Sequence, residues 1–344
     1  MTGQKCFLPA EWHPQSAIQI TWPDEQTDWA LIIEPVVACY QAIARHIAAR
    51  QKLLVVCRDR TQTERLLTEC RRENVLLVEA PLNDTWARDH GPITLLCAGA
   101  PVWLDFQFNG WGLKYPANFD NLITTVIYQS GLLDARVRYS NQLNFVLEGG
   151  SIESDGAGTL LTTARCLLSP NRNGGFGKSE IEDYLKRRLH LQRILWLHSG
   201  HLAGDDTDGH IDTLARFCAR DVIAYVRCDD PDDVHYGELK KMEEELQTFT
   251  TTSGAPYRLV PLPMADAIFD QNGERLPASY ANFLILNDAV LVPCYGSDKD
   301  EIALDTLRSL FQDREIIGVD CRILLRQHGS LHCMAMQYPA GVIA

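Results

Sequence analysis

Cys333 is the cysteine of this chain whose sequence context most suggests chemistry. It ends the segment Gln327-His328-Gly329-Ser330-Leu331-His332-Cys333, where small polar residues lead into alternating apolar ones. This pattern is typical of a turn entering a strand, so we expect His332 and Cys333 to point to opposite faces, which argues against His332 as the partner base. A thiolate is a strong nucleophile, and nearby cationic groups lower its pKa. Any one of the eleven cysteines is more often a core residue, so the case for Cys333 depends on its companions.

His210 and Asp212 form an H-x-D pair at the end of an acidic segment that contains Asp205, Asp206 and Asp208. On a strand, the two side chains of such a pair share a face. The imidazole then acts as acid and base near neutral pH, while the carboxylate binds a cationic substrate. Two alternatives stay open, a metal site built from the aspartates and a solvated acidic turn. The spacing does not fit an EF-hand loop, and the chain has no H-E-x-x-H motif.

Asp89 and Glu148 are two further carboxylates in unusual surroundings. Asp89 follows Arg88, and the simpler interpretation is a loop carboxylate that pairs with this arginine. Glu148 ends the apolar run 145–147 and precedes Gly149-Gly150. Burying an unpaired charge is costly, so a carboxylate at the end of a buried run suggests a function. The two glycines either allow the backbone to approach a ligand closely or simply form a turn.

The composition excludes several classes of protein. The 344 residues include 45 acidic and 32 basic side chains, and the net charge of −13 disfavours nucleic acid and anionic membranes as partners. It also attracts small cationic ligands, although it is equally explained by solubility. We find no signal peptide and no run that approaches the ~18 uninterrupted apolar residues of a membrane span. An odd number of cysteines without C-x-x-C spacing argues against a disulfide framework or a zinc ribbon, and favours buried thiols in a reducing cytoplasm.

The elements that must position these residues alternate between short apolar runs and amphipathic stretches, which predicts an α/β protein. No linker marks a boundary, so residues 1–344 are expected to form a single domain. The predicted strands are Ala17–Trp22, Lys52–Cys57, Val75–Glu79, Val102–Phe106, Leu160–Thr163, Arg193–Leu197, Val222–Val226, Arg258–Leu262, Phe283–Leu286 and Val290–Val292. The predicted helices are Trp29–Ala48, Glu64–Arg71, a helix opened by a Ser179/Glu182 capping box and ending at Leu189, Asp232–Thr250 and Lys299–Leu310.

The polar clusters recur at a nearly constant interval. Asp89 and Glu148 are 59 positions apart, Glu148 and His210 are 62 apart, and His210 and Cys333 are 123 apart, with Asn282 between them. Five modules of similar length, each with a polar cluster at one end, would suit a closed ring around a shared site.

These motifs together resemble the agmatine deiminase and bacterial, Porphyromonas-type peptidylarginine deiminase family of the guanidine-modifying superfamily. The resemblance covers nearly the whole chain. It is carried by the segments Leu8–Trp12, Thr21–Pro23, Asn83–Pro92, Phe108–Gly112, Leu147–Ser151, Gly204–Phe217, Ser279–Phe283 and Leu331–Pro339. It implies a pentein fold, an α/β-propeller of five ββαβ-type modules around a pseudo-fivefold axis with the active site in the central channel.

The resemblance also implies roles for individual residues. Cys333 matches the nucleophile, His210 the general acid and base, Asp89 and Asp212 the guanidinium-binding carboxylates, and Glu148 the acidic partner of the histidine. The loop before Cys333 departs from the Gly-Gly-x-Asn-Ile-His-Cys pattern of better-known members, which affects the contacts that set substrate preference.

Further candidates concern the part of the substrate beyond the guanidinium group. Trp86 and Trp111 are candidates for covering its aliphatic chain, or are core residues, and Asp206 is a candidate contact.

The activity implied is hydrolysis of agmatine to N-carbamoylputrescine and ammonia, in putrescine biosynthesis, through a thiouronium bound to cysteine. Peptidylarginine and free arginine are alternative substrates for the same chemistry. Alternatives of another class are a metal-dependent amidinohydrolase and a polyamine-binding protein without activity. No metal or organic cofactor is expected, the expected partner is a small guanidinium compound, and the resemblance implies a homodimer.

Overall fold

The computed structural model describes residues 6–98 and 100–343 as a mixed α/β protein. The strands are β1 Cys6–Phe7, β2 Gln15–Thr21, β3 Lys52–Cys57, β4 Val75–Glu79, β5 Ile93–Cys97, β6 Ala100–Gln107, β7 Arg138–Val146, β8 Ile152–Ser154, β9 Thr159–Thr163, β10 Arg193–Leu197, β11 Ala215–Ala219, β12 Val222–Arg227, β13 Arg258–Pro263, β14 Leu284–Ile285, β15 Ala289–Cys294, β16 Glu315–Asp320 and β17 Ala335–Pro339. The helices are α1 Ile33–Ala48, α2 Arg60–Leu66, α3 Ala87–His90, α4 Gly110–Leu113, α5 Asp120–Gln129, α6 Ala164–Leu167, α7 Pro170–Asn173, α8 Lys178–Leu189, α9 Tyr236–Thr248 and α10 Lys299–Leu310.

The strands form five small sheets in the described part of the chain, and all five share one local topology. In each sheet an antiparallel pair is extended by a parallel strand, which the chain reaches through a helix. The successive units are β5-β6-α5-β7, β8-β9-α8-β10, β11-β12-α9-β13 and β14-β15-α10-β16. The fifth unit combines both ends of the chain, because β17 pairs antiparallel with β2, which continues through α1 to the parallel strand β3. The predicted ββαβ topology is therefore observed.

The polar clusters occupy the same place in each unit, the segment that precedes the first strand. Asp89 precedes β5, Glu148 precedes β8, His210 precedes β11, Asn282 precedes β14 and Cys333 precedes β17. The regular spacing seen in the sequence thus has a structural cause, since equivalent points of repeated units recur at the length of the unit.

Helix α1 shows how the sequence specifies these units. Val36, Tyr40, Ile43 and Ile47 lie on one face at helical spacing and are fully buried. The stretch Ala30–Ala48 is long and apolar enough to cross a membrane by length and composition, and it is the one such helix among the residues described. A helix that packs against a sheet in a protein core meets the same criterion.

Most predicted elements are confirmed, several with the same bounds, but several helix starts were wrong. The helices predicted from Trp29 and Asp232 begin at Ile33, after a 3₁₀ turn at Ala30–Ile32, and at Tyr236. The helix predicted at Glu64–Arg71 lies earlier, at Arg60–Leu66, because the side chain of Asp59 caps it by accepting a hydrogen bond from the Gln62 amide at 2.8 Å. The Ser179/Glu182 capping box was also wrong. Helix α8 begins at Lys178, and Glu180 accepts a hydrogen bond from the Gly177 amide at 2.8 Å.

Cys6 and Cys97 form a disulfide that joins β1 to β5. The sequence did not predict this bond. The other nine cysteines are free thiols and all but Cys294 are buried, which agrees with the expectation of buried, unpaired cysteines.

Arg216 ties several units together at their polar ends. Its side chain is fully buried and forms ion pairs with Glu11, near the N-terminus, and with Glu153 of β8. It also donates hydrogen bonds to the carbonyls of Ala281, at 3.1 Å, and Phe283, at 2.8 Å. One guanidinium group thus pairs with two buried carboxylates and donates to two backbone carbonyls.

We expect Arg216→Met to lower the free energy of unfolding by about 3 to 5 kcal/mol, because Glu153 loses its buried ion pair and Glu11 loses one of its cationic partners. The matched control is Arg322→Met, which removes an exposed pair with Asp320 and should cost below about 1 kcal/mol. Urea denaturation of both variants makes the comparison. Similar losses in the two variants would contradict the role given to Arg216.

Candidate active site

A narrow pocket lies where the polar ends of the units meet. Its free volume is about 30 Å³, roughly the space of two water molecules. Asp89, Asp212 and Cys333 line it and are buried, and Trp86 and Trp111 also line it. Asp206 contributes to the wall and accepts a hydrogen bond from the Tyr115 hydroxyl at 2.9 Å. Six of the eight site residues predicted from the sequence therefore line one pocket, while Glu148 and His210 are buried outside its lining.

Asp89 is held by two donors that fix its carboxylate. The indole N–H of Trp111 donates to Oδ2 at 2.8 Å, and the amide of Gly150 donates to Oδ1 at 2.9 Å. Burial raises the pKa of Asp89 to about 6, opposed by the charge of His210 and reinforced by that of Asp212. Trp111 thus lines the pocket and also orients a carboxylate, a contact that the sequence did not suggest.

The simpler interpretation of Asp89, an ion pair with Arg88, is wrong. Arg88 forms its ion pair with Glu11, at 3.5 Å, and donates to the Gln337 side chain at 2.5 Å. The carboxylate of Asp89 is therefore left facing the pocket.

Cys333 and His332 do not begin a strand, as the sequence had suggested, because they belong to the turn before β17. Both side chains consequently approach the same carboxylate. His332 Nδ1 lies 2.8 Å from Asp212 Oδ2, and Cys333 Sγ lies 3.8 Å from the same oxygen. His332 is hydrogen-bonded to carboxylates rather than to the thiol, so the expectation that it is not the base for Cys333 agrees with its contacts, although the reason given, opposite faces of a strand, was wrong.

Asn282 fixes the thiol and the turn that carries it. Its Oδ1 accepts a hydrogen bond from the His332 amide at 2.8 Å, and its Nδ2 donates to Cys333 Sγ at 3.4 Å. Burial raises the pKa of Cys333 well above its usual value, and the charges of Asp212 and Asp89 add to this effect. In the unliganded protein Cys333 is accordingly a thiol, and a cation in the pocket would favour the thiolate.

His210 lies against Asp89, with Nδ1 3.6 Å from Oδ1, and in the described part of the chain neither of its ring nitrogens has a hydrogen-bond partner. Burial lowers the pKa of His210, but the charges of Asp89 and Glu148 oppose burial, and the pKa is raised well above its usual value. His210 is therefore an imidazolium near neutral pH, the form that donates a proton.

Glu148 does not hydrogen-bond to His210, in contrast to the role inferred from the resemblance. Both of its carboxylate oxygens accept from Arg172 Nε, each at 2.9 Å, and both side chains are fully buried. The same arginine donates to Asp208 at 2.5 Å and to the Thr207 carbonyl at 2.9 Å. Arg172 thus connects Glu148 to the loop that carries His210, and Glu148 acts on the histidine through its charge.

Gly150 is the point at which three of the site residues converge. A Cβ atom added here would lie 2.6 Å from His210 Nδ1, 2.9 Å from Asp89 Oδ1 and 3.0 Å from Asp212 Oδ2. No side chain fits in this space, so the glycine is required by the close approach and not by a turn, which answers the question that the sequence left open.

The geometry gives little support to a metal centre. Glu148, Cys166 and His210 are the one group of metal-ligand types found close together among the residues described, with ligand atoms within 4.8 Å of one another. Both oxygens of Glu148 are already bound to a guanidinium group, which would repel a metal ion. The acidic segment does not converge either, since Asp205 bonds to Thr207 and Gly209 within its own loop, while Asp206 and Asp208 bond to other side chains.

Sequence reasoning missed Arg172 and Asn282 as functional residues. Asn282 lay in a segment that matched both the repeat and the family, so a signal existed. Arg172 gave no such signal, because it is 24 positions from Glu148 and belongs to none of the polar clusters that recur along the sequence.

Comparison with known proteins identifies this combination of fold and site. The fold is a mixed α/β architecture of small sheets with a buried cysteine, histidine and carboxylate site. A family model for the Porphyromonas-type peptidyl-arginine deiminases matches residues 7–339. The chain belongs to this family.

Relatives and solved structures agree with the assignment. The agmatine deiminase of Pseudomonas syringae is 32% identical in sequence to this chain, and the match covers 97% of this chain and 95% of that protein. A Vibrio parahaemolyticus protein provisionally described as an agmatine deiminase is 36% identical over 97% of both chains. Among solved structures, a Porphyromonas gingivalis protein provisionally described as an arginine deiminase is 53% identical, with a TM-score of 0.95 and coverage of 99% and 100%. A serine variant of C. jejuni agmatine deiminase with bound substrate is 35% identical, with a TM-score of 0.92 and coverage of 99% and 98%.

We expect Arg172→Met to destabilise the protein by about 3 to 5 kcal/mol, because Glu148 would be left as an unpaired buried charge. Adding Glu148→Gln to this variant should recover part of the loss, since the amide removes the charge while keeping the shape. Thermal and urea unfolding of the single and double variants measure this coupling. A double variant less stable than Arg172→Met would show that the charge of Glu148 is neutralised elsewhere.

Proposed function

We propose that this protein is an agmatine deiminase, which hydrolyses the guanidinium group of agmatine to a ureido group and releases ammonia. The observation that carries the proposal is the pocket floor, where a thiol and two carboxylates are buried together beside an imidazolium. The two carboxylates on this floor suit a planar cation with several N–H donors.

The first step is attack of Cys333 on the guanidinium carbon. Asp89 and Asp212 bind the N–H groups and localise the delocalised charge at the carbon, and the bound cation favours loss of the Cys333 thiol proton to solvent, which leaves the thiolate. A bond forms between sulfur and carbon. His210 then donates its proton to one amino group, the carbon–nitrogen bond breaks, and ammonia leaves a cationic thiouronium attached to Cys333.

The second step is hydrolysis of this intermediate. His210, now neutral, takes a proton from the water that attacks the carbon. Collapse expels the Cys333 thiolate, and the proton of the added hydroxyl passes to ammonia or solvent, which leaves the ureido product. Glu148 favours the imidazolium form of His210 by its charge. We assign no step to a metal or an organic cofactor.

The rim of the pocket favours agmatine over arginine. Asp28, Asp84, Asp205 and Asp206 line it and are less buried than the floor, while the described lining contains no lysine or arginine. The primary ammonium of agmatine, four methylene groups away from its guanidinium, would meet these carboxylates. Free arginine would bring a negative carboxylate to the same place, and a peptide would bring an uncharged main chain.

The two tryptophans suit the aliphatic part of the substrate. Trp86 and Trp111 line the pocket together with the floor and rim carboxylates, and aromatic rings suit a methylene chain. Gly329 packs directly on the Trp86 ring, because a Cβ atom at this glycine would lie 2.3 Å from it. The unusual loop before Cys333 thus contributes to the substrate channel.

The proposal includes a finer view of the fold. The five repeated units and the pairing of the two chain ends in one sheet support a ring of pentein modules around a pseudo-fivefold axis, formed by residues 1–344 as a single domain. The central pocket would lie on this axis.

The proposal also covers the cellular location and the oligomeric state of the protein. A homodimer is implied by the family resemblance, and light scattering would measure it. A reducing cytoplasm is supported by the nine free cysteines, whereas the Cys6–Cys97 disulfide weighs against it, since such bonds are rare in that compartment.

The test is ammonia release by the purified, chelator-treated protein from agmatine, free arginine and an arginyl peptide. We expect agmatine to be the preferred substrate, and Cys333→Ala to lose at least about four orders of magnitude in turnover, as expected for a missing nucleophile. Turnover retained in Cys333→Ala would exclude the covalent route. A strict metal requirement would favour an amidinohydrolase, agmatine binding without ammonia release would favour a polyamine-binding protein, and preference for the peptide would change the substrate.

Agmatine binding should depend on pH in a defined direction. Burial, helped by the charge of Asp28, raises the pKa of Asp84 to about 7, and the pKa of Asp89 is about 6. Both carboxylates lose their charge as the pH falls through these values, while agmatine remains a dication. Its dissociation constant for the Cys333→Ala protein should therefore rise by roughly tenfold or more from pH 8 to pH 5.5.

Calorimetry in the same variant checks this dependence. Asp84→Asn should remove the part of the change near pH 7 and leave the part near pH 6. The same raised pKa values make the unliganded protein less stable as the pH rises from about 4, where the aspartates of the unfolded chain ionise, to about 7. Because agmatine binds the charged carboxylates, it should raise the melting temperature more at pH 8 than at pH 6. Tighter binding at pH 5.5 than at pH 8 would contradict the role of these carboxylates.

A further inference from the structure

His332 occupies a position between two buried carboxylates. Its Nδ1 lies 2.8 Å from Asp212 Oδ2, and its Nε2 lies 3.1 Å from Glu11 Oε2. The imidazole is 2% exposed. Both ring nitrogens are therefore engaged, which leaves neither available for proton transfer to the thiol of Cys333.

At its Nε2 end, the imidazole of His332 contacts Glu11, which is itself held by buried ion pairs. Glu11 is buried and forms ion pairs with Arg216 and with Arg88. Arg216 is in turn paired with Glu153. A histidine attached to such a group cannot rotate freely, so its Nδ1 is fixed with respect to the pocket floor.

At its Nδ1 end, the imidazole of His332 contacts one oxygen of Asp212, so the two oxygens of this carboxylate have different surroundings. Oδ2 is occupied by His332 and approached by Cys333 Sγ at 3.8 Å. Oδ1 is buried and has no hydrogen-bond partner among the residues that the structure describes, although Asp212 lines the pocket. A buried carboxylate oxygen without a partner is unfavourable, and here it remains available for a donor that enters the pocket.

We propose that His332 is a positioning residue, which holds Asp212 by its Oδ2 atom so that Oδ1 faces the guanidinium group of the substrate. The inference rests on the proposed function and extends it, since it assigns a task to a residue that takes no part in the chemical steps. Asp89 is held in the corresponding way by Trp111 and the Gly150 amide, so each guanidinium-binding carboxylate has its own fixed donor.

Two substitutions separate the two contacts of His332. The side-chain nitrogen of Asn is as many bonds from Cα as Nδ1 of His, and that of Gln is as many as Nε2. His332→Asn therefore keeps a donor for Asp212 and loses the contact with Glu11, whereas His332→Gln keeps a donor for Glu11 and loses the contact with Asp212. Each variant loses one buried contact, so a purely structural role predicts similar effects of both.

The experiment measures agmatine binding by calorimetry in the Cys333→Ala background. We expect the dissociation constant to stay within about threefold for His332→Asn and to rise by about tenfold or more for His332→Gln, the loss of one oriented charge-assisted hydrogen bond. In proteins that keep Cys333, His332→Gln should likewise raise KM more than it lowers kcat. Equal weakening of binding in both variants, or none in either, would overturn the proposal.

A second measurement covers variants that do not fold. In the Cys333→Ala protein with His332 intact, the Nδ1 resonance of this histidine should shift on addition of agmatine, because its partner carboxylate gains a cation. An unchanged resonance at saturating agmatine would also overturn the proposal. Ammonia release by the unsubstituted protein reports on the proposed function separately, so failure of one proposal is distinguishable from failure of the other.

Discussion

The whole site depends on burying several negatively charged groups close together without a cationic side chain for each of them. Asp89 and Asp212 lie on the floor of a narrow pocket beside a thiol whose pKa they raise. Desolvated carboxylates of this kind are costly, and the raised pKa of Asp89 expresses that cost. A guanidinium group would neutralise them and promote the thiolate at the same time, so binding and activation of the nucleophile are one electrostatic event.

Such an arrangement is stable only if the surrounding framework holds it in place. Two buried arginines provide the framework, each from a different side. Arg172 joins Glu148 to the loop that carries His210, and Arg216 joins Glu11 and Glu153 behind His332. Both arginines are paired with carboxylates that hold the fold together, which leaves Asp212 Oδ1 for the substrate. The protein thus separates the charges that stabilise the fold from those that bind the ligand.

The relatives differ in the substrate that their names suggest, although they share the fold. Agmatine deiminases and a protein described provisionally as an arginine deiminase all superpose on this chain with TM-scores of 0.88 or more. The buried floor explains the shared chemistry, because any guanidinium group presents the same donors to it. The acidic rim is where a preference for the tail of the substrate would arise, and its four aspartates are the feature that favours a second cation.

The sequence by itself determined the repeated α/β units and named the residues around the pocket, because hydrophobic periodicity is local and because each polar cluster sits at the same point of its unit. The resemblance of these clusters to a known family then assigned Cys333, His210, Asp89 and Asp212 to one site. Only the tertiary structure decided how these residues are paired. Glu148 bonds to Arg172, 24 positions away, and His332 contacts Asp212 because the turn before β17 continues past Cys333. Hydrogen bonds between side chains depend on how distant segments pack against each other, and the order of residues along the chain carries no direct trace of that packing.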